Sequence, residues 1–252
     1  MKKCTKIILG TVIVATAGLA VTAGYINYVK NKDAVLPQGF TVTAHTGCEG
    51  TKDNSLEAIE KGYLSGADIV EFDVHFNSEG EPVLAHDYAA DDSVKLKDAF
   101  DLVAECEGLR VNVDCKTVDN LKAIVKTAEE CGVKDRIFYT GIEVKDVETV
   151  KRDTPEVKYY LNTDIDKSRK NDELYIRSLV TLTRETGALG LNIHFSEASE
   201  KMIKIFHQEG LEVSLWTVNK ELDMYNVLVL GCDNITTRQP SKLKEIISNK
   251  TK

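Results

Sequence analysis

Short apolar runs alternate with longer amphipathic stretches from residue 41 to the end of the chain. The runs are rich in β-branched residues and often bounded by Gly or Asp, a pattern typical of buried strands. The stretches between them repeat apolar residues at helical spacing. We predict strands at residues 41–45, 69–74, 110–114, 136–139, 157–161, 189–193, 212–216 and 234–236. The predicted helices include residues 54–65, 119–131, 144–152, 173–185, 199–209 and 221–230.

This alternation predicts an α/β domain over residues 41–252, a (β/α)8 TIM barrel. The alternative is an open doubly wound sheet, but no Gly-rich phosphate-binding turn follows the first strand. Residues 82–85 are expected to form an additional strand, which pairs with the second strand as a hairpin.

The first 29 residues have a different pattern. Lys2, Lys3 and Lys6 precede an uncharged, mostly apolar run over residues 7–26. About 20 apolar residues span a bilayer, and lysines before such a run favour a cytoplasmic N-terminus. We predict a transmembrane anchor or signal segment at residues 1–29 and a polar linker at 30–40. The barrel would then lie outside a cell membrane as part of a single-pass protein, or be secreted if the leader is cleaved.

Composition narrows the possible partners. The chain of 252 residues has a formal net charge of -8 and 29% charged residues. No basic stripe is present that could release counterions from a nucleic acid, so we expect no nucleic-acid partner. The cysteines and histidines show no zinc-site spacing, and nothing in the sequence indicates the oligomeric state.

Two carboxylates lie close together inside the apolar second strand. Glu71 and Asp73 are two residues apart, so they point to the same face of the strand. Two like charges on one face repel each other unless a cation lies between them. Carboxylate oxygens suit Mg²⁺ or Ca²⁺, so we predict one divalent cation here. Asp114, at the end of the third strand, completes a set of three acids.

Other reactive side chains fall at the ends of predicted strands, where TIM barrels place their active sites. His45 ends the first strand and His86 ends the hairpin, and the ordinary pKa of histidine suits proton transfer. A lone histidine is more often structural, but two of five histidines beside an acid cluster favour catalysis. Lys116 follows Asp114, and Trp216, the only tryptophan, ends the seventh strand.

These residues resemble the glycerophosphodiester phosphodiesterase family, whose relatives include the sphingomyelinase D-type phospholipases. The resemblance covers nearly everything after residue 40. Its motifs here are His45-Thr46-Gly47, Asp53-Asn54-Ser55, Glu71-Phe72-Asp73, His86-Asp87, Asp114-Cys115-Lys116, Trp216-Thr217-Val218-Asn219 and Gly231-Cys232-Asp233 to Pro240.

The resemblance implies a metal-dependent enzyme that hydrolyses glycerophosphodiesters to glycerol 3-phosphate and an alcohol. The substrate's own 2-hydroxyl would be the nucleophile, giving a cyclic phosphate that water opens. Implied metal ligands are Glu71, Asp73 and Asp114, and His45 and His86 would be the catalytic base and acid. Lys116 would stabilise the phosphoryl charge, Trp216 would contact the alcohol or glycerol, and Asp53 would lie near the metal and glycerol.

Three motifs depart from the family pattern. Thr46 replaces an arginine after the first histidine, Asp53-Asn54-Ser55 replaces Glu-Asn-Thr, and Asp114 replaces a glutamate, as in the sphingomyelinase D-like branch. Asp114 and the possible anchor favour an alternative, a phospholipase D-like activity on lysophospholipids at a membrane. Thr46 motivates a second alternative, a non-catalytic barrel that binds such diesters, because threonine cannot form the bidentate phosphate contact of arginine.

Overall fold

A closed parallel barrel forms the body of the protein. The computed structural model describes residue 24 and residues 27–90 and 92–250. The strands are β1 Thr41–Ala44, β2 Ile69–Phe76, β3 Pro82–Leu84, β4 Arg110–Cys115, β5 Ile137–Ile142, β6 Tyr159–Leu161, β7 Gly190–His194, β8 Glu212–Trp216 and β9 Asn234–Thr237. Eight of them are parallel and pair in a ring, which β1 closes by pairing with β2 on one side and β9 on the other. The remaining strand, β3, pairs with β2 as an antiparallel hairpin.

A helix follows each of the eight barrel strands, separated from β2 by the hairpin in one case. Their apolar faces cover the outside of the barrel, where Phe72 and Phe100, for example, pack together with ring centroids 6.1 Å apart. The helices are α1 Leu56–Leu64, α2 Leu96–Glu105, α3 Leu121–Glu130, α4 Val147–Asp153, α5 Glu173–Thr186, α6 Glu200–Gln208, α7 Glu221–Leu228 and α8 Pro240–Lys250.

The predicted TIM barrel and its hairpin are confirmed, and several strands differ from the prediction at their ends. β2 runs on to Phe76 because the hairpin partner extends its ladder. β5 continues to Ile142 although Gly141 interrupts the β-branched pattern. β6 begins only at Tyr159, because the backbone N–H of Val157 bonds to the Thr154 carbonyl in a turn.

The inside of the barrel is divided into an apolar floor and a polar upper part. Ile69, Phe138 and Tyr160 form a separate buried cluster on the inner face, away from the core beneath the helices. Above Ile69 the same face of β2 carries Glu71 and Asp73, because alternate residues of a strand point inward. The apolar floor therefore lies toward the amino ends of the strands, and the polar part lies toward their carboxyl ends.

The residues before the barrel pack against it. Val29, the last residue of the predicted segment 1–29, is 4% exposed. Leu36 and Phe40 contact the core, so the predicted polar linker at 30–40 contributes apolar contacts. The predicted anchor or signal run at residues 7–26 lies outside the described residues apart from Gly24. Within residues 27–90 and 92–250, none of the helices combines the length and the apolar character that crossing a bilayer requires.

Gly190 provides a test of the barrel packing. A Cβ at this position would lie 1.8 Å from the backbone oxygen of Glu212 on β8, so a side chain forces the two strands apart. Gly190→Ala should lower the free energy of unfolding in urea by about 3 kcal/mol, at the upper end of typical overpacking costs. Gly210→Ala is the control, because this turn has open space and only its left-handed φ of 71° opposes alanine, a cost of about 1–2 kcal/mol. Equal losses in both variants would contradict this account of Gly190.

Candidate active site

A cleft of about 700 Å³ opens at the carboxyl ends of the barrel strands. It brings together all eight side chains that sequence reasoning selected, although they come from five separate parts of the chain. The lining includes His45, Asp53, Glu71, Asp73, His86, Asp114, Lys116 and Trp216. The structure therefore places these residues at one site, as expected for a TIM barrel.

Three carboxylates converge at the bottom of this cleft. Glu71 and Asp73 are 6% and 3% exposed, and Asp114 is half-buried. Adjacent positions on β2 and β4 bring them together, since Asp73 is in register with Asp114. One oxygen from each acid lies within 4.8 Å of the other two. Gly141, on the neighbouring strand β5, permits this crowding, because a Cβ there would lie 3.0 Å from Asp114 Oδ1.

The charges of the three acids are only partly balanced. Lys116 Nζ lies 2.8 Å from Asp73 Oδ1 and 2.5 Å from Asp114 Oδ2, and these carboxylates raise the pKa of Lys116 despite its burial. Glu71 Oε2 accepts a hydrogen bond from the Thr46 backbone N–H at 2.9 Å. Burial, reinforced by the charges of Asp73 and Asp114, raises the pKa of Glu71 well above its usual range. The single positive charge of Lys116 therefore does not neutralise the three acids.

The residues present fit a divalent cation. Mg²⁺ and Ca²⁺ take oxygen ligands at about 2.0–2.6 Å, so two ligands of one ion lie at most roughly 5 Å apart. The three carboxylate oxygens meet this limit. A cation between them would also favour the charged form of Glu71, which burial opposes. Glu71, Asp73 and Asp114 are therefore the residues that would hold the ion.

The two histidines differ in their surroundings. His45 Nδ1 lies 2.9 Å from the Thr46 carbonyl, which assigns the proton to Nδ1 and leaves Nε2 as an acceptor. Burial, with a smaller contribution from Arg238, lowers the pKa of His45. His86 is exposed at the rim, and its Nδ1 bonds to Asp87 Oδ1 at 2.6 Å. Asp87, the next residue in the sequence, therefore contacts the imidazole directly.

Thr46 and Asn54 support the acid cluster from the loop after β1. The Thr46 hydroxyl accepts a hydrogen bond from the backbone N–H of Asn54 and donates one to Asn54 Oδ1 at 3.3 Å. Asn54 in turn donates from Nδ2 to Asp73 Oδ2 at 2.9 Å and accepts from the Asp73 backbone N–H at 3.0 Å. Sequence reasoning did not select Asn54, although the amide lies in a motif that it quoted.

Asn54 should orient Asp73 for metal binding. Its φ of 55° is left-handed, so Asn54→Gly removes the amide while keeping a residue that adopts this backbone. We expect this variant to bind Mg²⁺ about 10- to 100-fold more weakly, the usual effect of losing a hydrogen bond to a ligand. Calorimetric titration of EDTA-treated protein measures it. Glu49→Gly is the matched control, a left-handed residue (φ 53°) of the same loop that is not hydrogen-bonded to the acids. Equal affinities in Asn54→Gly and the control would exclude this role.

Asp53 pairs with Arg238, a residue that sequence reasoning missed. Arg238 Nη1 and Nη2 donate to the two Asp53 oxygens at 2.7 and 3.1 Å. Arg238 directly follows β9, so the rule that active-site residues follow barrel strands would have found it.

Trp216, at the end of β8, is 36% exposed and packs edge-on against His194, with ring centroids 5.5 Å apart.

Known proteins are similar to this chain in sequence. The sequence profile of the glycerophosphoryl diester phosphodiesterase family matches residues 44–111 and 108–242. A glycerophosphodiester phosphodiesterase of Caldanaerobacter subterraneus subsp. tengcongensis is 21% identical over 248 residues, which cover 82% of this chain and 97% of that protein.

Two solved structures have the same fold. A glycerophosphodiester phosphodiesterase from Parabacteroides distasonis superposes with a TM-score of 0.69 at 19% identity, covering 88% of this chain and 100% of that one. A phosphodiesterase from Oleispira antarctica, solved with the product sn-glycerol-3-phosphate, has a TM-score of 0.66 at 18% identity, covering 84% and 97%. Since the family profile spans most of the chain, this protein belongs to the glycerophosphoryl diester phosphodiesterase family.

Proposed function

We propose that this protein hydrolyses glycerophosphodiesters to glycerol 3-phosphate and an alcohol, with one divalent cation, Mg²⁺ or Ca²⁺, held by Glu71, Asp73 and Asp114. The observation that carries the proposal is the convergence of these three acids beneath two histidines in a single cleft. The family match and the product-bound relative support the substrate class. When bound, the cation would screen phosphate charge and acidify an attacking hydroxyl.

The protein's own groups have distinct parts in this proposal. His45 accepts the proton of the nucleophile, because its Nδ1–H bond to the Thr46 carbonyl leaves Nε2 free as a base. His86 protonates the leaving alkoxide, because the bond between its Nδ1 and the Asp87 carboxylate orients the ring and leaves Nε2 available. Lys116 places positive charge beside the phosphoryl oxygens while it also contacts Asp73 and Asp114.

The lining of the cleft favours a hydrophilic substrate. Among its described lining residues most are charged or polar, and Trp216 is the one large apolar side chain. A deacylated diester has few apolar groups, so it suits a polar cleft. The acyl chain of a lysolipid would have little apolar surface to pack against. We therefore place deacylated diesters ahead of lysophospholipids.

The test is release of glycerol 3-phosphate from glycerophosphocholine by the full chain. EDTA should abolish this release, and Mg²⁺ or Ca²⁺ should restore it. The same assay with lysophosphatidylcholine distinguishes this proposal from the phospholipase D-like alternative. That alternative predicts faster turnover of the lysolipid than of glycerophosphocholine. Metal-dependent binding of the diester without any product would support the non-catalytic alternative and contradict the proposal.

A further inference from the structure

The cleft is rich in acids and poor in free positive charge. Among its described lining residues, Lys116 and Arg238 carry the fixed positive charges. Lys116 already contacts two carboxylates. A phosphodiester is an anion, so its binding beside this cluster is favoured by positive charge in addition to that of Lys116. The acids that line the cleft are Asp53, Glu71, Asp73, Asp87, Asp114 and Glu143.

Position 46 does not supply this charge. Thr46 is 3% exposed and its hydroxyl is hydrogen-bonded to Asn54, so this residue supports the loop after β1. We propose that Arg238 binds the phosphate group of the substrate, with Asp53 orienting its guanidinium. This inference rests on the proposed function, because it takes the substrate to be a phosphodiester.

The backbone of Arg238 is held beside His45. The residue before it, Thr237, accepts a hydrogen bond from the His45 N–H at 2.9 Å. The N–H of Arg238 donates to Asn219 Oδ1 at 2.8 Å, and its carbonyl accepts from the Glu49 N–H at 2.9 Å. Bonds to the loops after β1 and β8 therefore fix the point from which the side chain enters the cleft.

Asp53 orients the side chain of Arg238 but leaves some of its guanidinium N–H groups available for a ligand. Asp53 occupies two of the five guanidinium N–H groups, and the Arg238 side chain is 39% exposed. Gly47 lets this pair approach the His45 loop, since a Cβ there would lie 1.9 Å from Asp53 Oδ1 and 2.8 Å from Arg238 Nη1. The remaining N–H groups suit a phosphate, whose oxygens match the planar guanidinium.

The experiment compares Arg238→Met and Arg238→Lys with the wild type in the presence of Mg²⁺. Calorimetry measures binding of sn-glycerol 3-phosphate and, separately, of Mg²⁺, and KM and kcat are measured with glycerophosphocholine. Arg238→Met should weaken sn-glycerol 3-phosphate binding about 10- to 100-fold and raise KM similarly. Arg238→Lys should lose part of the affinity, because an ammonium keeps the charge without the planar geometry.

Mg²⁺ affinity should stay at the wild-type value in both variants, since Arg238 is not hydrogen-bonded to any of the three acids that would hold the ion. Arg184→Met is the matched control: Arg184 lies on α5 and pairs with Glu209 at 2.8 Å, so binding should not change. Wild-type affinity for sn-glycerol 3-phosphate in Arg238→Met would overturn the proposal, as would an equal loss of phosphate and Mg²⁺ affinity. If the phosphate ester binds through Arg238 but no diester is hydrolysed, the hydrolase proposal fails and the role of Arg238 stands.

Discussion

Alanine in place of His45 should lower kcat for glycerophosphocholine about 100- to 10,000-fold, the range expected for loss of a general acid or base. His45 lies in the cleft with one ring nitrogen bonded to the Thr46 carbonyl and the other available as an acceptor. His86→Ala should cause a loss of the same order, because it removes the proposed proton donor. Steady-state release of glycerol 3-phosphate with saturating Mg²⁺ measures both effects.

His207→Ala is the matched control for these variants. His207 lies on α6, bonds to Asp233 at 2.9 Å and is absent from the cleft lining. Its removal should leave kcat unchanged even if it costs some stability. Wild-type turnover in both His45→Ala and His86→Ala would exclude acid–base catalysis by these residues.

Asparagine in place of Asp73 should abolish metal-dependent turnover. Asp73 is 3% exposed, and its oxygens face Lys116 and Asn54 within the three-acid cluster. Loss of a partner that only orients a ligand weakens metal binding about 10- to 100-fold, so loss of the charged ligand itself should cost more. Mg²⁺ titration of EDTA-treated protein measures the change in affinity, and circular dichroism verifies that the variant is folded.

Asp68→Asn provides the comparison for Asp73→Asn. Asp68 immediately precedes β2, at the opposite end of the strand from the cleft, where it accepts from the Val42 N–H and pairs with Lys244. This variant should keep wild-type Mg²⁺ affinity and turnover. Similar losses in the two variants would point to general damage to β2 and not to a metal site.

Sequence reasoning predicted the barrel because its signals are local and repeated. Buried strands such as β2 appear as apolar runs, and Gly after a helix marks a turn, as at Gly187 after α5. Strand ends were less predictable because they depend on partners. β2 extends to Phe76 through its pairing with β3, and β6 is shortened by the turn at Val157.

The site was predictable where residue types carry their own chemistry. Glu71 and Asp73 were selected from their spacing alone, and the structure places both in the cleft with Asp114. The contacts between side chains were not predictable. Arg238 is 185 positions from Asp53 in the sequence, and only closure of the ring by β1 and β9 brings them together. Asn54 was missed for a similar reason, because only the fold of the loop after β1 places its amide within hydrogen-bond distance of Asp73.

The most direct test of the metal site is anomalous diffraction from crystals grown with Mn²⁺, which replaces Mg²⁺ in oxygen sites and scatters strongly enough to be located. One anomalous peak should lie between Glu71, Asp73 and Asp114, with a carboxylate oxygen of each at about 2.0–2.6 Å. A crystal soaked to saturation that has no peak there, or whose Mn²⁺ lies elsewhere in the cleft, would contradict the assignment of these three acids.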